Sequence, residues 1–258
     1  PVMRVATYER GRLRFWTDPF EINVSNEFHF FTPSDSVQDV TLFAKYTLRA
    51  DEMFLNRMIG GTFEGSNEPD FREKEVLYLI NEKPKRLQTV VQSYSSKSYR
   101  YVRYIGPKDS HCNIAEAAFY TPNDTTLLKG KVIGTPGCFQ KDGSHEYTNV
   151  FDGDVTTSFD YIEPSGGWSG LDLGTPKQIG RIVYTPRSYD NYIRSGDEYE
   201  LFYCVNKTGW FSLGIQLSGS DSLVYRKVPA NVMFLLKNYS RGRQERIFVY
   251  EDGKQRWK

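Results

Sequence analysis

Histidine and cysteine are scarce, with three of each among 258 residues. His29, His111 and His145 lie far apart in the chain. No His-x-x-x-His pair, Gly-x-Ser-x-Gly elbow or phosphate-cradling glycine loop occurs. A hydrolase needs a nucleophile beside a base, or two carboxylates held in different environments. Neither is visible as a motif, so the chain is expected not to be an enzyme, and any catalysis of the natural protein is expected upstream of Pro1. His111 adjoins Cys112, and a cryptic Cys/His hydrolase stays open because such partners meet only in the fold. Cys112, Cys138 and Cys204 are odd in number and lack metal-ligand spacing, so they form no disulfide framework. Buried free thiols are expected, with Cys138–Cys204 the pair to test for a bond.

Net charge is nearly absent. Lysine plus arginine number 33 and aspartate plus glutamate 32. A nucleic-acid partner is therefore not expected, since it calls for a basic excess or stripe. The short clusters Arg10, Arg12, Arg14 and Arg241, Arg243, Arg246 are interrupted and read as solvated strand faces, although an anionic sugar remains open. Apolar runs are short, Val232–Leu236 being typical, so membrane insertion is not expected. No secretory signal opens the chain, which reads as a mature or trimmed piece of something longer. Helical periodicity is scarce, and its best candidate is Leu48–Met58.

Aromatic residues are plentiful: 18 tyrosines, 17 phenylalanines and four tryptophans. Such residues favour pleated, half-buried surfaces. Short strands are expected at Leu13–Trp16, Glu27–Phe31, Val40–Tyr46, Val76–Ile80, Tyr99–Ile105, Glu116–Tyr120, Gln178–Thr185, Glu198–Val205 and Arg246–Tyr250. Asp152-Gly153, Ser165-Gly166-Gly167 and Asp252-Gly253 punctuate them as turns. The fold class is all-β, with two tandem β-sandwich domains meeting in the polar stretch Pro122–Gly130. The expected ranges are 1–124 and 125–258. A faint repeat supports two similar sandwiches. Each half carries a polar turn, a long hydrophobic strand and a Glu-x-x-Phe-type last strand, Glu116–Phe119 in one and Glu245–Phe248 in the other. Trp168, Trp210, Met3, Met53 and Met58 read as core.

The run Phe151-Asp152-Gly153-Asp154-Val155-Thr156-Thr157-Ser158-Phe159 precedes Trp168-Ser169-Gly170-Leu171-Asp172-Leu173-Gly174 and a strand ending Thr185-Pro186-Arg187. This order resembles discoidin (coagulation factor 5/8 type C) domains over about Lys131–Gln255. In the first domain only Met58–Tyr120 is similar, and Met3–Leu48 is either a diverged first half or the end of a different sandwich. The resemblance implies a galactose-binding-like jelly roll whose members mostly bind, as family-32 carbohydrate-binding modules do. The overall style is similar to C-terminal regions of Bacteroidetes cell-envelope proteins, which implies a secreted, periplasmic or cell-surface location. The leading expectation is a non-catalytic carbohydrate-binding module. The alternative is a structural or protein-interaction module appended to an upstream transglutaminase-like or hydrolase domain.

The resemblance also implies a structural calcium held by Asp152, Asp154, Thr157 and Glu245. Calcium takes six to eight hard oxygen ligands, and Gly153 permits the tight bend. The plainer alternative is an ordinary Asp-Gly turn with Glu245 in a salt bridge. No metal is expected at Glu116. Family ligands bind on loops at one end of the sandwich, where a rigid scaffold presents function. Arg187, Tyr189, Asn191, Tyr192 and Arg194 would supply guanidinium forks, amide pairs and aromatic plates there. Tyr161, Tyr239, Arg241 and His145 (with Tyr147 beside it) would complete the pocket. Each is otherwise a solvated loop residue.

Overall fold

A computed structural model describes residues 1–46, 49–122, 126–140, 142–205, 209–242 and 245–258, and the backbone alone of 49–52. The chain is nearly all β, as expected, and α1 (Arg49–Asn56) is the one α-helix among the described residues. It falls within the helical pattern read at Leu48–Met58.

Two compact units emerge, but they are not tandem. Pro1–Thr47 and Asn191–Lys258 form the first, and Leu48–Asp190 forms the second as an insertion within it. The expected boundary at 124/125 falls outside the described residues. The strands on either side of it belong to one unit, which overturns the division into 1–124 and 125–258. The turn residues after Tyr120 link two strands of one sandwich rather than two domains. Leu128 N–H donates to the Phe119 carbonyl at 2.8 Å, folding the segment back along its own strand.

The first unit opens with two short hairpins, β1 (Ala6–Glu9) with β2 (Arg12–Phe15) and β3 (Phe20–Ile22) with β4 (Phe28–Phe30). β5 (Val37–Leu42) follows. The inserted unit contributes α1, β6 (Thr62–Ser66), β7 (Lys74–Leu79), β8 (Thr89–Gln92), β9 (Ser98–Ile105), β10 (Ile114–Tyr120), β11 (Lys131–Gly134), β12 (Trp168–Gln178) and β13 (Arg181–Pro186). The chain returns with β14 (Glu198–Val205), β15 (Gly209–Leu217), β16 (Leu223–Pro229), β17 (Met233–Asn238), β18 (Ile247–Glu251) and β19 (Lys254–Trp257). In the first unit a five-stranded sheet, β15-β14-β17-β18-β19, and the pair β16-β5 enclose Val40, Leu42, Leu201, Phe234 and Phe248.

The inserted unit is a sandwich of a five-stranded sheet, β11-β12-β9-β6-β7, and a three-stranded sheet, β10-β13-β8. Its core takes Phe63, Leu77, Val102, Tyr104 and Leu171 from one sheet and Ile114, Ala117, Phe119, Ile182 and Tyr184 from the other. The period-2 alternation of a strand explains the choice. On β10, Ala117 and Phe119 point inward while Glu116, Ala118 and Tyr120 are half-buried on the other face. A register shift between Ile114 and Glu116 lets Ile114 also face the core. Fully buried rings such as Phe63, Phe119 and Phe159 each contribute roughly 1.5–3 kcal/mol of transfer free energy. Gly170 lets β12 lie against β9, because a Cβ there would sit 2.2 Å from the Val102 carbonyl oxygen.

Several expected core residues lie elsewhere. Met58 is fully buried, but Met3 and Met53 are exposed. Trp168 is half-buried, with the Arg103 guanidinium 5.2 Å from its ring centroid. Trp210 is 38% exposed, because β15 is an edge strand whose residues mostly face solvent.

Candidate functional site

Strand β10 is entered through a backbone that most residues avoid. Asp109, His111, Cys112 and Asn113 have φ of 62°, 48°, 73° and 38°. Left-handed geometry costs a non-glycine residue about 1–2 kcal/mol, so something must hold this segment. The ring nitrogen Nδ1 of His111 lies 2.8 Å from the Tyr161 carbonyl oxygen, and Tyr161 N–H donates to the His111 carbonyl at 2.7 Å. Ser110 N–H donates to the Pro164 carbonyl at 2.7 Å. Strain of this kind clusters where a fold presents function.

The segment delivers Asn113 to a buried polar cluster. Asn113 and Asp160 are 2% and 3% exposed, and Asn113 Nδ2 donates to Asp160 Oδ1 at 2.5 Å. The Arg187 guanidinium, at the end of β13, forms an ion pair with the Asp160 carboxylate. His145 Nδ1 lies 4.0 Å from Asp160 Oδ2 and 3.1 Å from Ser158 Oγ. Arg187 also stacks on Phe54 of α1, with its central carbon 4.3 Å from the ring centroid, and lies 5.8 Å from the Tyr189 centroid. Burial pushes its pKa below the ordinary guanidinium value. Two aromatic rings are left open at this end, Phe139 at 59% exposure and Tyr189 at 39%. Phe139 N–H donates to the Asp160 carbonyl at 2.8 Å, and its ring meets His111 edge-on at 5.0 Å. Beside them α1 and the loop Pro107–Ser110 line a groove of about 510 Å³.

Of the residues expected at a ligand site, Arg187, Tyr189, His145 and Tyr161 belong to this unit and meet at this end. Tyr161 is half-buried and rests against Phe159, so it supports the site from beneath. Asn191, Tyr192 and Arg194 do not join it, because the chain passes into the first unit at Asn191. Asn191 and Tyr192 are 4% and 5% exposed, and Asn191 Nδ2 donates to the Tyr46 carbonyl at 3.2 Å. Tyr239 and Arg241 also lie in the first unit. The Tyr239 hydroxyl donates to the Glu200 carboxylate, and Arg241 Nε donates to Asp197 Oδ2 at 2.8 Å. Both hold a turn. Asn113, Asp160, Phe139 and Phe54 carry no sequence signal of their own. They become partners of Arg187 and His145 only through the pairing of distant strands.

The Asp-Gly-Asp turn is built as expected but is closed by a different residue. Asp152 Oδ1 accepts the Asp154 N–H at 2.7 Å. The Thr157 hydroxyl is 2.8 Å from Asp152 Oδ2 and 2.9 Å from the Asp154 carbonyl oxygen. Gly153, at φ 82°, donates its N–H to Glu116 Oε1 at 2.9 Å. Burial, and then the facing Asp152 carboxylate, push Glu116 up to about 8. Glu245 belongs to the first unit and is exposed, whereas the carboxylate that accepts a hydrogen bond from the turn is Glu116, where no metal ligand was expected. Two carboxylates, a hydroxyl and a carbonyl form a set of hard oxygen donors suited to calcium. Among the described residues, no three His, Cys, Asp or Glu side chains converge on a common point.

All three cysteines are free and buried. Cys112 is 2% exposed, and burial pushes its thiol well above the ordinary range, the opposite of an activated nucleophile.

No protein-family model, curated protein or solved structure matches the chain.

Proposed function

We propose that the inserted unit is a non-catalytic carbohydrate-binding module of discoidin-like character, carried by a secreted or cell-surface protein. One observation carries this reading. Exposed Phe139 and Tyr189 flank a charge cluster, Asp160 with Arg187, Asn113 and His145, at the end of a rigid sandwich. An aromatic plate beside fixed polar groups is what a sugar needs for stacking and hydroxyl pairing. The resemblance drawn over Lys131–Gln255 is divided between the two units, because the chain passes into the first unit at Asn191. The discoidin-like segments around Asp152-Gly153-Asp154, Trp168–Gly174 and Thr185–Arg187 lie in the same sandwich as Met58–Tyr120, whose last strand supplies Glu116.

Calcium is proposed as a structural ion at this turn. Asp152, Thr157, the Asp154 carbonyl and Glu116 would hold it and tie β10 to the turn. Its positive charge would relieve the opposition of the two carboxylates.

Binding of oligosaccharides to a Phe139→Ala variant tests the sugar site. The ring is exposed, so the melting temperature is expected to stay within about 2 °C of the parent while affinity falls about fivefold, since stacking of this kind is worth about 1 kcal/mol. Unchanged affinity in a folded variant contradicts the assignment.

A second reading, a protein-interaction role, draws on the first unit. Tyr8 and Leu13, cross-strand neighbours in the β1–β2 hairpin, are 74% and 61% exposed, and Phe28 and Phe30 of β4 are 59% and 43% exposed. Two-stranded hairpins are marginal alone, and contiguous exposed apolar side chains mark interaction surfaces. A protein that binds no glycan but loses a partner on Tyr8→Ser and Phe28→Ser would favour this role.

A further inference from the structure

One groove of the inserted unit is not neutral. It lies between α1 and the loop before the strained segment, lined by Met53, Asn56, Arg57, Ile59 and Pro107–Ser110. Two cations reach it, Arg57 and Lys108. Lys108 is exposed and Arg57 half-buried, and among the described residues neither side chain makes an ion pair or hydrogen bond. The groove and the polar cluster are built on shared elements. Its floor helix carries Phe54, on which Arg187 stacks, and its loop runs directly into His111–Asn113. Arg57 and Arg187 stand close enough for like-charge repulsion to depress Arg187 further. Arg187 has Asp160 as counter-ion, whereas Arg57 has none among the described residues.

A like charge nearby disfavours the charged form of a guanidinium, and an anion bound in the groove would offset that repulsion. The neighbouring carboxylate in the groove, Asp109, is exposed and held at φ 62° by its N–H bond to Ser165 Oγ at 3.0 Å. Its side chain is free to accept hydroxyl groups. Met53 and Ile59, both 42% exposed, offer an apolar wall. An acidic sugar presents all three complements: an anionic group for Arg57 and Lys108, hydroxyls for Asp109 and Asn56, and a C–H face for the wall.

We propose that the groove between α1 and Pro107–Ser110 is an anion subsite, so that the glycan bound at this end carries a carboxylate or sulfate group. This rests on the carbohydrate-binding reading above.

The test is titration calorimetry on the 258-residue chain with three probes of equal length: a galactose trisaccharide, a galacturonate trisaccharide and a sulfated galactose trisaccharide. The parent is expected to bind one or both acidic probes at least tenfold more tightly than the neutral one. The preferred acidic arm tells carboxylate from sulfate. In Arg57→Gln/Lys108→Gln, changes at a half-buried and an exposed position checked for folding by melting temperature, the preference is expected to fall to within about twofold and neutral binding to persist. Equal binding of neutral and acidic probes by the parent, or a preference that survives in the variant, overturns the anion subsite and leaves the sugar reading standing. No heat with any of the three overturns both. A single Arg57→Lys variant is expected to keep most of the preference, since the charge remains.

Discussion

Removing Arg187 exposes the logic of the cluster. The Asp160 side chain is 4% exposed and that of Arg187 16%, so Arg187→Met would leave a buried carboxylate with only Asn113 and a distant imidazole beside it. Breaking a buried pair by deleting one partner costs about 3–5 kcal/mol. Loss of the guanidinium from the Phe54 ring adds about 0.5–2 kcal/mol. At roughly 2–4 °C per kcal/mol for a domain of this size, the inserted unit is expected to melt at least about 6 °C lower. Asp160→Asn in the same background removes the stranded charge and should recover about 0.5–3 kcal/mol, the range of coupling for contacting residues. The assay is urea denaturation of the parent, both single variants and the double variant. If Arg187→Met costs under about 1 kcal/mol, or the two changes simply add, Asp160 and Arg187 are not a buried pair and the site has been misread.

Three further outcomes follow from the same geometry. Gly170→Ala would drive a Cβ into the Val102 carbonyl across β9 and β12, so a loss above about 2 kcal/mol is expected by chemical denaturation, within the range for overpacking; a neutral result contradicts the close strand approach. Calcium is expected to raise the melting temperature of the parent and of Glu245→Ala but not of Glu116→Gln, read by scanning calorimetry with and without chelator. The three thiols are expected to resist an aromatic disulfide reagent until the chain is unfolded, because Cys112, Cys138 and Cys204 are each 2% exposed, and reductant should leave melting unchanged.

Local chemistry made the strands readable, and long-range pairing hid their assembly. The alternation in Glu116–Tyr120 and the β-rich run Tyr99–Ile105 name β10 and β9 without a structure, because period 2 is written into adjacent residues. The Asp152-Gly153-Asp154 turn was legible for a similar reason: its hydrogen bonds link residues within five positions. The partner that closes it was not. A Glu-x-x-Phe strand occurs twice, and only the hydrogen-bonded order of strands decides between Glu116 and Glu245. The insertion was invisible for the same cause. Pro122–Gly130 has the composition of a linker, yet turn residues also join strands within one sandwich. At the sugar site, the segment Arg187–Arg194 reads as one loop, but burial of Asn191 and Tyr192 divides it. Phe139 and Asp160 meet because Phe139 donates its N–H to Asp160, a contact with no sequence pattern behind it.

The most direct measurement is a glycan array probed with the 258-residue chain in calcium and again in chelator. The account predicts reproducible binding to a defined class of glycan, weakened when calcium is withdrawn. A blank array under both conditions would contradict a carbohydrate-binding function, and would shift attention to the exposed apolar hairpins of the first unit.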